Sequence, residues 1–256
     1  TKIHSTAIVA KGAYCDSDVE IMPYALIGEG VKLGRGVRVG SFAVIENDTT
    51  IGAGTRIFTG VVIGSVPQDL KYDGSRSAVV IGENNIIREY VTINLSTTKG
   101  SRTVVGNNNL IMAYSHIAHD CIVGNHCIIA NSGTLAGHVT LEDNVVVGGL
   151  VAIHQFVRVG TLSIIGGCSK VVTDIPPYAT CDGHPAKFYG LNLVGLRRAG
   201  ISSKSMQVLK NAYKVFYQSG LTKAHAVEEI KKNFLSCAEI KHLIEFIESS
   251  QRGLCH

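Results

Sequence analysis

Hydrophobic residues recur in this chain every six positions. From Ile3 they run through Val9, Cys15, Ile21, Ile27, Leu33, Val39, Ile45, Ile51 and Ile57 to Ile63 without a miss. The period is lost in SVPQDLKYDGSRSA and returns at Ile81, Ile87 and Ile93. It is lost again in STTKGSRT, then runs unbroken from Val105 to Val171. The residue two places earlier is also small or aliphatic, as at Ala7, Ala13, Val19, Ala25, Val31, Val37 and Ala43. Two inward positions in six match neither a helix nor a simple strand. They match a short strand followed by a corner, repeated many times. Gly often follows the inward residue (Gly28, Gly34, Gly40, Gly52, Gly64), so Gly or Asn is expected where the corner needs positive φ. Three such sides close a triangular coil, with coils stacked at about 4.8 Å. The predicted fold class is an all-β solenoid of hexapeptide repeats around a column of Ile, Val and Leu.

Pro176 and Pro177 are expected to end the repeat, because proline removes ladder donors. Beyond about Leu191 the pattern becomes helical. Met206, Leu209, Tyr213 and Phe216 share one helix face, Gly220 reads as a stop, and Thr222 as the next cap. Ser236 to Glu239 reads as a capping box for a last helix. The predicted organisation is a β-helix over 1–186, with excursion loops near 65–78 and 95–103, and a C-terminal α-helical domain over 187–256. The helices are expected to cover the open end of the solenoid, whose coil edges would otherwise pair with other chains.

Composition narrows the class. Tryptophan is absent, there are 28 glycines, and only 17% of residues are charged, which favours many tightly turned elements over a helical bundle. No apolar run is long enough for a membrane span, and the N-terminal stretch lacks the pattern of a secretory signal. The seven cysteines form no CxxC pair and read as buried thiols in a reducing cytoplasm. From Lys187 onward, eleven Lys/Arg stand against five Asp/Glu. That basic end suits an acidic partner, and no nucleic-acid-binding motif accompanies it.

Candidate chemistry interrupts the repeat in SHIAHDCIVG, with His116, His119 and Asp120. Residues 18 apart should stack on neighbouring coils, so His119 lies under Gly137 and Gln155, and Asp120 under His138. His154 adjoins the same strip. A neutral imidazole can take a proton from a substrate hydroxyl or amine, and Asp120 would orient it. No Ser or Cys nucleophile occupies the strip, since Cys121 is read as inward. The substrate itself would then attack, and the Gly137 N–H could hold the oxyanion. These residues support direct acyl transfer without cofactor or metal. Two other readings compete: a zinc site on His116, His119 and His138, and a non-catalytic scaffold. His4, His126, His184, His225, His242 and His256 are expected to be surface residues.

The hexads resemble those of the hexapeptide acyltransferases, and the resemblance implies a left-handed coil. The runs HIAHDC, LAGH at 135–138, HQF at 154–156, PQDLKY at 67–72 and the closing RGL resemble the UDP-N-acetylglucosamine acyltransferases over essentially the whole chain. That family moves a (R)-3-hydroxyacyl chain from acyl carrier protein to the 3-OH of UDP-N-acetylglucosamine, the first step of lipid A synthesis. The resemblance implies that His119 is the general base, Asp120 its orienter and Gly137 the oxyanion donor. Gln68, Asp69 and Lys71 match sugar and phosphate contacts, and His116 and His138 match sugar or acyl contacts. His154, Gln155, Asn192 and Arg198 match nucleotide or pantetheine contacts, and Gly167 matches the residue that sets acyl length; a glycine there implies a longer chain. The family is a cytoplasmic homotrimer with sites between subunits, so an excursion loop would serve a neighbour's cleft. Three departures bear on the sugar. The chain reads Thr92-Ile-Asn94-Leu-Ser96 where many members read TIHRG. Val194 stands where many have an acid, and Arg197-Arg198-Ala199 has one basic residue fewer than some members. The ordinary sugar is the expected acceptor, with a 3-amino analogue as the alternative.

Overall fold

A computed structural model describes residues 1–235 and 237–256. The repeat folds into three walls of very short strands. The first wall has eleven strands, the second nine and the third eight, and successive strands in a wall come from successive coils. Pairing is parallel until the last hairpin, and the register follows the 18-residue step: His116 pairs with Thr134, and Ile117 with Leu135. Each excursion lengthens one coil, so Val62 pairs with Thr92 and Thr92 with His116. Ladder pairing of every coil on the next satisfies backbone groups that a two-residue strand could not satisfy alone.

The hexad residues from Ile21 to Val171 point inward and are at most 3% exposed, forming one continuous apolar column. The first coil behaves differently. Ile3 is 49% exposed, and Val9 and Cys15 are only partly buried, because among the described residues no coil covers them. The periodicity identifies the inward direction but not how fully each inward residue is covered.

Positive φ falls elsewhere than expected. Of the glycines that follow an inward residue in the first coils, Gly28, Gly34, Gly40 and Gly52 have ordinary φ, and only Gly64 is left-handed. A Cβ on Gly34 or Gly40 would strike the backbone of the next coil, at 2.8 and 2.6 Å. Coil stacking, not φ, requires glycine there. The left-handed residue comes three places after the inward one. It is glycine at Gly30, Gly36 and Gly60, but Asp120, His138 and Phe156 adopt the same conformation with φ of 60, 61 and 64°. Side chains in this column stack on one another, as Tyr24 does on Phe42 and Tyr90 on Tyr114.

The parallel ladder runs one strand past the prolines. Ala179–Gly183 pairs with the first wall and then turns back antiparallel onto Ala186–Leu191. Among the described residues four helices follow: α1 (Leu193–Arg198), α2 (Ser203–Gln218), α3 (Lys223–Phe234) and α4 (Ala238–Ser249). Thr222 caps α3 through the His225 N–H. Cys237 takes the N-cap position of α4 without a side-chain bond, and Ser236 of the expected capping box lies outside the described residues. The helices form their own core around Leu209, Tyr213, Ile230, Leu243 and Phe246 and sit on the C-terminal coils. His242 fastens them. Its Nε2 lies 2.9 Å from Glu142, its Nδ1 3.1 Å from the Tyr178 hydroxyl, and Arg158 stacks over Phe246. His242 is therefore half-buried in an ion pair rather than a free surface residue. No helix among the described residues is long and apolar enough to cross a membrane.

Candidate active site

The corner between the second and third walls carries Ala118, His119, Asp120 and Cys121, with Ala136 to Val139 one coil above and His154 to Val157 above that. His119 is 9% exposed. Its Nδ1 lies 2.9 Å from Asp120 Oδ2. A carboxylate only accepts, so Nδ1 carries the proton and Nε2 presents a lone pair. Gly137 stands directly against the ring: a Cβ there would overlap His119 Cε1 and Nε2. Gly137 has ordinary φ, so the imidazole, not the backbone, requires glycine. Among the described residues its N–H has no hydrogen-bond acceptor.

Asp120 is held from several sides. Ser96 Oγ donates to Oδ1, Thr97 N–H and Oγ1 donate to Oδ2 at 3.1 and 2.7 Å, and His119 adds its bond. Thr103 Oγ1 accepts from the Asp120 backbone N–H at 2.9 Å, fixing the left-handed turn. Burial alone would raise the Asp120 pKa, but these donors outweigh it and bring it down to about 2. The carboxylate is thus ionised at neutral pH. Cys121 is inward and burial pushes its thiol up to about 12, so it offers no thiolate.

His138 stacks face to face on Phe156, with centroids 4.5 Å apart, and meets His119 edge-on at 5.2 Å. Its Nε2 is 3.7 Å from Asp120 Oδ2. His119, Asp120 and His138 place ligand atoms within 4.8 Å of one another, whereas His116 bonds Thr92 Oγ1 through Nδ1 at 2.7 Å. The three-histidine set expected for zinc is therefore not the set that converges, and the carboxylate in it already accepts from three residues. Burial, with the nearby His119, lowers the pKa of His116, so it is neutral near pH 7.

The first excursion bends back to this corner of its own chain. Asp69 Oδ2 lies 3.9 Å from His119 Nε2, and Asp69 Oδ1 accepts from the Lys71 N–H at 2.8 Å. Gln68 and Lys71 are exposed beside it, and His154 and Gln155 are exposed on the same ridge above. Three expected residues lie away from it. Gly167 is on the corner between the first and second walls. Asn192 caps α1, accepting from the Gly195 N–H and donating to Leu162 O at 2.8 Å on the third corner. Arg198 is exposed in the last turn of α1.

Sequence reasoning noted Asn94 and Ser96 only as departures bearing on the sugar, and missed their supporting contacts together with Thr97 and Thr103. The hydroxyl-rich excursion STTKGSRT was a signal, but its lack of period hid where those hydroxyls land. Asn94 Nδ2 donates to Ser65 O and Val66 O at 3.3 and 2.9 Å, and among the described residues its buried Oδ1 has no partner. An orphaned acceptor of this kind costs about 1–3 kcal/mol.

A histidine oriented by a carboxylate beside a free backbone N–H on a hexapeptide prism defines an acyltransferase-type site. The comparisons agree. Residues 12–47 and 102–137 match the bacterial transferase hexapeptide model, and residues 174–255 match domain 2 of Udp N-acetylglucosamine O-acyltransferase. The chain is 49% identical over 255 residues to an acyl-[acyl-carrier-protein]–UDP-N-acetylglucosamine O-acyltransferase of Thermodesulfovibrio yellowstonii, covering 99% of each. It is 47% identical to the enzyme of the same name from Anaeromyxobacter dehalogenans, covering 98% of each. The solved LpxA from Acinetobacter baumannii superposes with a TM-score of 0.96 at 42% identity, covering 100% of both chains. The chain belongs to the acyl-[acyl-carrier-protein]–UDP-N-acetylglucosamine O-acyltransferase family, a family of enzymes, and its solenoid is the left-handed parallel β-helix.

Proposed function

We propose that this protein transfers a (R)-3-hydroxyacyl chain from acyl carrier protein to the 3-hydroxyl of UDP-N-acetylglucosamine, with His119 as general base. The observation that carries this is the His119 ring, bonded to Asp120 through Nδ1 and presenting Nε2 beside the free Gly137 N–H. Nε2 takes the proton as the sugar O3 attacks the thioester carbonyl, forming the C–O bond. The Gly137 N–H receives the oxyanion. Collapse breaks the C–S bond, and the imidazolium returns the proton to the leaving sulfur. Asp120 holds the ring and balances its transient charge. No acyl-enzyme forms and no cofactor or metal takes part.

Asp69, with Gln68 and Lys71, is placed to hold the sugar against Nε2. His116 and His138 flank the reacting groups on the second wall and the coil above. His154 and Gln155, higher on the ridge, are assigned to the acyl and pantetheine side. Gly167 and Asn192 sit on other corners and Arg198 on α1, so they are placed to meet a His119 across a contact between copies. This supports a homotrimer with each cleft closed by two chains. The basic helical end suits an acidic carrier protein. The unpaired thiols fit a cytoplasmic setting.

Transfer assays with a panel of acyl carrier protein thioesters, against UDP-N-acetylglucosamine and its 3-amino analogue, test the substrates. We expect ester product with long 3-hydroxyacyl donors, and a strong preference for the amino sugar would overturn the acceptor. Gly167→Met should shorten the preferred chain; unchanged preference would remove Gly167 from the acyl groove.

A further inference from the structure

Two carboxylates flank the His119 imidazole, Asp120 at Nδ1 and Asp69 beside Nε2. They arrive by different routes, one from the corner itself and one from the first excursion. A single short segment, Asn94 to Thr97, touches the supports of both. Asn94 is 4% exposed, and its Nδ2 donates to Ser65 O and Val66 O where the first excursion leaves the wall. The Leu95 N–H donates to Ser65 O at 3.0 Å. At the other root of that excursion, Ser77 Oγ donates to Ser96 O at 2.6 Å. The side chains of Ser96 and Thr97 face the opposite way in function: both donate to Asp120. Leu95, 3% exposed, anchors the segment in the core.

We propose that residues 94–97 form a brace that fixes both carboxylates around His119. Asn94 is a positioning residue for Asp69, and Ser96 and Thr97 are positioning residues for Asp120. The brace rests on the base chemistry proposed above and gives it a support. Asn94 spends its donor on two loop carbonyls, while among the described residues its buried Oδ1 has no partner. Ser96 and Thr97 are neutral donors, so they orient the carboxylate without cancelling the charge that the imidazolium needs.

The two halves of the brace predict different kinetics. Ser96→Ala with Thr97→Val should lower kcat about tenfold and leave KM for the UDP-sugar unchanged. A carboxylate stripped of those donors holds a proton on the imidazole more firmly. The acid limb of the kcat profile should therefore move up by about half a pH unit. Ser96→Thr keeps the hydroxyl and should retain the parent profile. Asn94→Ala should instead raise KM for the UDP-sugar about tenfold with kcat little changed. Melting by circular dichroism accompanies each variant, and the isosteric Thr97→Val alone carries the test if the double variant does not fold. His119→Ala is measured alongside. Should it keep activity, the base chemistry itself is wrong. Should it be inactive while the Ser96/Thr97 variant keeps both kcat and acid limb, the brace alone is wrong. Equal changes in kcat and KM for both halves, with Ser96→Thr losing activity like the Ser96/Thr97 variant, would mark general loosening and also overturn it.

Discussion

Asp48 and Asp120 occupy the same corner of the prism, several coils apart. The register runs from Asp48 through Ala78 and Arg102, and the 18-residue step leads on to Asp120. Both carboxylates are held below their usual pKa, but by different partners. Arg76 takes Asp48 in a two-pronged ion pair, Nε at 2.5 Å and Nη2 at 2.6 Å, and is the leading cause of its lowered pKa. Asp120 is held by hydroxyls, one backbone N–H and an imidazole. A guanidinium permanently neutralises its carboxylate, whereas neutral donors hold the geometry and leave the charge available to a neighbouring ring. The register thus stacks both carboxylates in one column, although Asp120 is itself the left-handed residue while Asp48 follows the left-handed Asn47, and the excursion beside each decides whether its carboxylate ties down a loop or assists chemistry.

Breaking the contrast should give graded effects. Gly137→Ala puts a methyl into the His119 ring and should lower kcat about 100-fold with the fold intact, read by transfer assay and circular dichroism. Gly149, also two places past an inward residue but on another corner, would put a Cβ only at ordinary contact with Asn131 O, 3.5 Å away. Asp120→Asn should lower kcat by about 10- to 100-fold, because an amide no longer fixes the ring tautomer or stabilises the imidazolium. Asp48→Asn should leave kcat within about twofold and shift Tm by no more than about 2 °C, since an exposed pair contributes little. Equal losses for the two variants would erase the distinction between the corners.

The smallest effect belongs to the helical clasp. The bond to Glu142 raises the His242 pKa against the opposing effect of burial. Burial would raise Glu142, but His242 and Thr161 outweigh it and hold it below its usual range. The His242 contribution is complete below the ordinary imidazole range and is lost as pH rises through the raised value. The Glu142 contribution is present above the ordinary carboxylate range and is lost as pH falls through the lowered one. The clasp is therefore strongest near pH 5–6. Tm should fall by about 2–4 °C between pH 6 and pH 9, and His242→Gln should flatten that slope while leaving transfer activity near the parent value.

Much of this was legible in the residues. The hexads identify the inward column, and the 18-residue step brings His119, Gly137, Asp120 and His138 to one corner, because strand stacking is rigid arithmetic. What escaped lay outside the period. Ser96 and Thr97 sit in an excursion whose course nothing local dictates, and Asn94 differs from its neighbours only by which loop it reaches. Asp69 was named, yet its approach to its own chain's His119 depends on how a 12-residue gap between Ser65 and Ala78 folds back. The burial of His242 reflects Glu142 and Tyr178, neighbours distant in sequence. Gly28, Gly34, Gly40 and Gly52 keep ordinary φ, because close backbone stacking selects glycine as strongly as a left-handed turn does.

The most direct test is single-turnover transfer by His119→Ala, with acyl carrier protein thioester and UDP-N-acetylglucosamine at saturation and the oligomeric state checked by light scattering. The expected result is a rate reduced by at least about 1000-fold with assembly and melting unchanged. Transfer within a few fold of the parent rate would place the base elsewhere and contradict the mechanism.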